Sequence, residues 1–194
     1  ILSEYSVKFG LGRPTGIDLP YEVSGNIPSV FVRKMTLKNW YDGDTANFGI
    51  GQGELLASPI QAARLMAILV NGGKLVRPHV IKYIDGKEIK YPLPQDLHLD
   101  GKVSGIVMQG LRQVVESDSG TARMLGDIEG LTVAGKTGTA QVYNAPAHGL
   151  FVGFAPFKNP KVVICVFIEN CGSSYYAVKA AKEILQGLVK EGFL

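Results

Sequence analysis

Residues 131–169 hold three runs of β-forming residues, at about 131–142, 149–156 and 161–169, joined by connections of only a few residues. A parallel pair needs a crossover of a dozen residues or more, so these connections leave only antiparallel neighbours. The third run contains the apolar stretch Val162-Val163-Ile164-Cys165-Val166-Phe167-Ile168. It is followed at about 174–190 by a helical pattern that turns Ala177, Ala181, Ile184, Leu185 and Leu188 toward the sheet. Two further helices precede the strands. One begins at Ser58-Pro59-Ile60-Gln61, where a capping serine, a proline at the first helical position and a glutamine three after the cap satisfy orphan N–H groups. Its apolar face is Ala62, Ala63, Leu65, Met66, Leu69 and Val70, and it ends at Asn71-Gly72-Gly73. The other is capped by Asp100 and repeats Val103, Ile106, Val107, Leu111, Val114 and Val115 at three and four, with a short helical turn after it near 121–125. The expected class is α+β, an antiparallel sheet with packed helices.

Outside these elements, residues 9–28 are rich in glycine and proline and lack helical periodicity, which predicts a long ordered loop. Residues 80–84 and 87–91 flank Asp85-Gly86, a dipeptide suited to a two-residue hairpin turn. With 46% hydrophobic and 19% charged residues the chain is long enough for one domain with a core. A net charge of +3 with scattered Lys and Arg excludes nucleic acid as the expected partner. Cys165 and Cys171 have no company from His79, His98 or His148, so neither a metal site nor a disulfide framework is expected. No apolar run approaches the ~18 residues that a membrane span needs. The opening Ile1-Leu2-Ser3-Glu4 has neither a start methionine nor the regions of a signal peptide, so the chain reads as a piece of something longer.

One motif invites a nucleotide-binding reading. Gly130-Leu131-Thr132-Val133-Ala134-Gly135-Lys136-Thr137 fits the phosphate-loop pattern G-x-x-x-x-G-K-[ST] letter for letter. A phosphate loop follows a buried strand and opens a helix. Here Gly126-Asp127-Ile128-Glu129 is no buried strand, and the residues after Thr137 read as strand and turn. The pattern is therefore expected to fail, and no cofactor is expected.

With the frame moved by six, the same residues read Lys136-Thr137-Gly138-Thr139 within a strand, which resembles the third signature of the penicillin-binding-protein and serine β-lactamase superfamily. The setting strengthens the resemblance: residues 134–141 followed by His148-Gly149-Leu150-Phe151-Val152-Gly153-Phe154-Ala155-Pro156 look like the family's hairpin around that strand. Thr15-Gly16-Ile17-Asp18-Leu19-Pro20, Trp40-Tyr41-Asp42-Gly43-Asp44-Thr45 and Ile50-Gly51-Gln52-Gly53 resemble class B, elongation-specific enzymes of the penicillin-binding-protein 2 type. The resemblance covers essentially the whole chain, as the C-terminal portion (residues 1–194) of a single transpeptidase domain.

Alternation along the strand puts Lys136 on one face and Thr137 with Thr139 on the other, and Gly138, lacking a Cβ, permits close approach of an extended peptide. The resemblance implies that the Thr139 N–H is half of an oxyanion hole, that the Thr137 and Thr139 hydroxyls hold a substrate carboxylate, and that Lys136 adds positive charge there. It implies a D,D-transpeptidase acting through a serine acyl-enzyme on peptidoglycan stem peptides and β-lactams. A glycan polymerase and elongation proteins are the implied partners, and the extracytoplasmic face of the bacterial membrane the implied location. A serine β-lactamase and a non-catalytic penicillin sensor share the strand and stay open. None of the serines has a lysine three residues on, so the family's S-x-x-K nucleophile is not within these residues, and this chain alone is expected to be inactive. The packing site of the absent nucleophile helix makes self-association of the chain an expectation. Ser24-Gly25-Asn26 imitates the family's second motif in the wrong order and reads as loop, while His148, Asp44 and Thr45 read as structural.

Overall fold

Buried polar side chains, more than apolar area, organise the first part of the chain. Residues 1–36 and 38–194 are described by the computed structural model, and they separate into two units, residues 1–65 with 74–97 and residues 66–73 with 98–194. The first unit opens with α1 (Leu2–Lys8), α2 (Val30–Met35) and α3 (Asp42–Gly49). None of these was expected, because helices of six to eight residues are too short to show a periodicity and persist only through caps and contacts. The Ser29 hydroxyl caps α2 by accepting the Val32 N–H at 3.1 Å, and Asp44 accepts the Tyr41 N–H at 2.9 Å at the start of α3.

Helix α4 (Pro59–Val70) begins where expected, with Ser58 N–H on Gln61 Oε1 at 2.9 Å and Gln61 N–H on Ser58 Oγ at 3.4 Å. Gln61 is 1% exposed, and its Nε2 also donates to the carbonyls of Arg13 (2.8 Å) and Ser24 (2.9 Å). Buried Arg64, one turn on, donates to the carbonyls of Gly10 (2.5 Å) and Thr15 (3.3 Å). Glu22 accepts the Thr15 N–H at 2.7 Å and the Gly16 N–H at 2.9 Å. The long loop is thus ordered, as expected, because side chains supply the partners that no secondary structure provides.

Strand β1 (Lys74–Leu75) pairs with β4 (Gln95–Asp96), and β2 (Tyr83–Ile84) pairs with β3 (Lys87–Glu88) across Asp85-Gly86, both at positive φ as a two-residue hairpin turn requires. The hairpin is shorter than expected because its flanks are tied to Asp18 instead. Asp18 accepts the N–H groups of Val80 (2.8 Å) and Ile81 (2.9 Å) and the Tyr91 hydroxyl (2.6 Å).

In the second unit, α5 (Gly101–Glu116) is capped by Asp100, which accepts the N–H groups of Lys102 (2.7 Å) and Val103 (3.2 Å). A 3₁₀ turn, Arg123–Asp127, leads to the meander of β5 (Ala134–Val142), β6 (Ala145–Ala155) and β7 (Val162–Ile168), antiparallel throughout, and α6 (Ser174–Lys190) follows. β5 starts three residues later than expected. Thr132 offers its carbonyl (2.9 Å) and hydroxyl (3.1 Å) to the Phe157 N–H, outside the ladder, while Leu131 and Val133 are buried. β6 starts earlier because Tyr143-Asn144, with Asn144 at φ 54°, closes a two-residue turn between paired Val142 and Ala145.

One sheet face buries Phe151, Ala155 and Ile164 against Ala177, Val178, Ala181 and Leu185 of α6. The other buries Ala134 and Phe154 with Met66 and Phe157. Ile184, expected against the sheet, is 48% exposed, because the buried row runs through 177, 181 and 185 at intervals of four and leaves 184 on its flank. The N-terminal half of the α5 stripe is also exposed at Val103, Ile106 and Val107, whereas Val115 is buried.

The Asp18 tie carries a pH signature. The Tyr91 hydroxyl bond, aided by the Val80 and Ile81 N–H groups and opposed by partial desolvation, lowers this carboxyl from 3.8 to about 2. A depressed carboxyl contributes its stability in full above the unfolded value and loses it as pH falls through the folded one. The stability gap between the protein and Asp18→Asn should therefore be constant above the unfolded value and shrink between pH 3.8 and about 2, as read by urea titrations.

Candidate active site

Lys136, Thr137, Gly138 and Thr139 lie in the middle of β5, which runs on to Val142 and a two-residue turn, so no helix opens at the motif. A phosphate loop is thereby excluded, since its anion site is a helix N-terminus. The register pairs Lys136 with Val152, Thr137 with Phe151 and Thr139 with Gly149. Lys136 accordingly shares the face of Ala134 and Phe154, while Thr137 and Thr139 share the face of Phe151, as the alternation predicted.

β5 is an edge strand of the order β5-β6-β7. The phase of its backbone follows from the pair Gly135 and Gly153. A Cβ built on Gly135 would stand 2.8 Å from the Gly153 Cα, so with a bond of about 1.5 Å the two Cα atoms are within ~4.3 Å. That is the close, non-hydrogen-bonded kind of antiparallel pair, near 4.5 Å rather than about 5.5 Å. The register runs without a shift from 134 to 140, so the pairs at 137 and 139 are of the same kind. The backbone N–H and C=O groups of Thr137 and Thr139 are therefore directed to the outer edge of β5, away from β6. Exposed Lys136 folds over the same edge, its Nζ donating to the Thr137 carbonyl at 3.0 Å.

On the threonine face, the Thr137 hydroxyl lies 2.7 Å from the hydroxyl of Thr121, a residue that the sequence reading passed over as part of a helical turn. Behind Thr139 the segment entering α6 packs flat on Gly149, where a Cβ would meet the Ser173 carbonyl at 2.6 Å and Cys171 Sγ at 2.7 Å. Gly138 faces the Leu150 side chain, 3.3 Å from where its Cβ would be.

The remaining candidates have structural partners. His148 Nδ1 accepts the Asn170 N–H at 3.0 Å, and its ring edge meets Phe167 at 5.2 Å. Asp44 takes a two-pronged contact from Arg33 at 2.8 and 3.1 Å, and the Thr45 hydroxyl accepts Trp40 Nε1–H at 2.8 Å. Asn26 of Ser24-Gly25-Asn26 forms a β-bridge with Leu56, and its side chain donates to the Glu54 carbonyl at 2.7 Å. Burial pushes the Cys165 thiol up to about 11, which leaves it un-ionised and inert at neutral pH.

Residues 2–190 match the family model described as the penicillin binding protein transpeptidase domain. The chain belongs to that family. Among curated transpeptidases, the peptidoglycan D,D-transpeptidase MrdA of Haemophilus influenzae is 35% identical over 95% of this chain and 32% of its own length. MrdA of Escherichia coli K12 is 34% identical over 97% of this chain and 33% of its own. The chain thus spans about a third of these relatives. Among solved structures, Pseudomonas aeruginosa PBP2 in complex with WCK 5153 superposes with a TM-score of 0.83 at 40% identity, covering 95% of this chain and 42% of that one. Helicobacter pylori PBP2 in complex with MreC gives 0.84 at 30% identity, covering 99% and 36%. The fold is that of this transpeptidase family, of the PBP2/MrdA type, and among the described residues no helix is long and apolar enough to cross a membrane.

Within this transpeptidase sheet, the two strand glycines should respond differently to a methyl group. Gly149→Ala drives a Cβ into backbone and should lower unfolding stability by about 1–3 kcal/mol. Gly138→Ala meets no backbone, only the Leu150 side chain from 3.3 Å outward, and should cost clearly less in the same urea titration.

Proposed function

We propose that residues 136–139 form one wall of a D,D-transpeptidase active site that cross-links peptidoglycan stem peptides through a serine acyl-enzyme. The observation that carries this reading is the phase of β5, which aims the backbone of Thr139 outward while Thr137 and Thr139 present hydroxyls on one face and Lys136 adds a cation. An extended peptide laid along this edge meets a donor and an acceptor at each second residue, as in strand addition. The serine oxygen bonds to the peptide carbonyl carbon, its proton passes to a neighbouring base, and negative charge develops on the carbonyl oxygen. The Thr139 N–H is the donor placed for that oxygen. The amine of the terminal residue then leaves with a proton, and the amine of a second stem peptide takes the acyl group from the serine. The hydroxyls of Thr137 and Thr139 hold the carboxylate of the terminal residue, and Lys136 offsets its charge.

The serine itself belongs to a part of the enzyme outside these 194 residues, because no serine here is followed three positions on by lysine. Both units belong to one transpeptidase domain in this reading, since the family match runs through both. The curated names favour transpeptidation over β-lactam hydrolysis. An MreC-like partner and a glycan polymerase are supported by the complexes of related proteins, one of them a peptidoglycan synthase complex of polymerisation and crosslinking. The extracytoplasmic membrane surface is the location this chemistry requires.

In a full-length enzyme carrying this chain, Thr139→Pro deletes the backbone donor. Loss of an oxyanion-hole donor costs about 2.7–4 kcal/mol, so acylation by a labelled penicillin should fall roughly a hundredfold or more. Thr139→Ala keeps the N–H and should fall much less. A folded proline variant acylating at the wild-type rate would remove Thr139 from the oxyanion hole. The 194-residue chain alone should show no penicillin adduct by intact mass, and an adduct there would relocate the nucleophile.

A further inference from the structure

We propose that Thr121 is a positioning residue of this site, whose hydroxyl aims the Thr137 proton at the bound carboxylate; the inference rests on reading β5 as a carboxylate-binding strand. The two hydroxyl oxygens are 2.7 Å apart across a sequence separation of 16. Thr121 is held there from both sides. Before it, Gly120 passes so close to the end of α5 that a Cβ would strike the Val114 carbonyl oxygen and stand 2.9 Å from that of Ser117. After it, Ala122 is 0% exposed in the core, and its N–H donates to the Val114 carbonyl at 3.0 Å. The Gly120 N–H on the Ser117 carbonyl at 2.8 Å completes the turn. Side chains on a backbone fixed in this way have little freedom, and the branched threonine rotor has less still.

Each hydroxyl has a single proton to give. When Thr137 gives its proton to an anion, its oxygen has lone pairs left to accept, and Thr121 stands at hydrogen-bond distance to donate into one. The direction of the pair is then fixed as Thr121 to Thr137 to carboxylate, and each bond in such a row polarises the next. Without Thr121 the Thr137 rotor loses the partner that orients it. Thr121 is not thereby a catalytic residue, since its hydroxyl acts through Thr137.

The test uses a full-length enzyme carrying this chain, with second-order acylation rates measured for one penicillin and for its carboxylate methyl ester. Thr121→Val keeps the shape and removes the hydroxyl, and it should slow the free acid about three- to tenfold, the worth of one neutral hydrogen bond. The ester, which has no anion to orient, should be unaffected. Thr121→Ser should return the free acid to near the wild-type rate. Equal slowing of acid and ester, or failure of serine to rescue, would make Thr121 a structural residue and overturn the proposal. Thr137→Val in parallel separates the two claims. If it slows the acid selectively while Thr121→Val does nothing, the strand site stands and Thr121 falls; if neither variant discriminates acid from ester, both fall.

Discussion

The close pairing of Gly135 with Gly153 sets the phase of β5, and the chemistry proposed for this strand depends on that phase. Antiparallel ladders alternate, so fixing one pair as the non-hydrogen-bonded kind fixes all that follow until a bulge intervenes. A one-residue slip would turn the Thr139 backbone inward to β6 and exchange the faces of lysine and threonines. Neither glycine has room for a methyl. A Cβ on Gly135 would lie 2.6 Å from both the Phe151 ring and the Val152 carbonyl, and one on Gly153 would lie 2.6 Å from the Ala134 carbonyl. Phe151, fully buried over these glycines, therefore joins the core to the register. The packing that stabilises the sheet also selects which backbone groups face outward.

The first unit solves a different problem. Apart from residues such as Phe48 and Leu97 it buries little apolar side chain, and a stretch of 20 residues without regular structure must still satisfy its backbone. Gln61, Arg64 and Glu22 do so from few positions, each serving two backbone groups of the stretch. Such a hub is economical but brittle. Removing one side chain orphans several buried or half-buried groups at once, each costing more than the net worth of the bond lost.

What was legible in the sequence follows the same division. Elements whose signal is local were readable: the Ser58 and Asp100 caps, the Asp85-Gly86 turn, the meander and α6. The position of Lys136-Thr137-Gly138-Thr139 within a strand, with lysine and threonines on opposite faces, was readable too, because alternation needs only a period of two. Helices α1 to α3 were not, since at their length tertiary contacts decide. The exposure of Ile184 and of the first half of the α5 stripe was equally hidden, because spacing marks an apolar face but not the width its neighbours cover. Thr121 was missed because its role depends on a contact across 16 residues. The only local trace was Gly120-Thr121 a few residues beyond the end of α5, where the glycine's missing side chain lets the chain pass close over the last turn of that helix.

The failure of the phosphate-loop reading shows why letters alone do not assign a glycine its task. In a phosphate loop the glycines let successive N–H groups curl around an anion. Here Gly130, at φ 72°, makes the turn that ends the segment after the 3₁₀ helix, whereas Gly135 has no positive φ and remains in the ladder. Its missing side chain makes room for Phe151 and the neighbouring backbone, not for a phosphate. The lysine that follows is consequently carried on a straight edge and not at the mouth of a helix. An edge of alternating donors and acceptors is complementary to an extended peptide, whereas a nest of convergent N–H groups is complementary to a phosphate. The strand phase is thus the feature that supports the extended-peptide reading proposed for this edge.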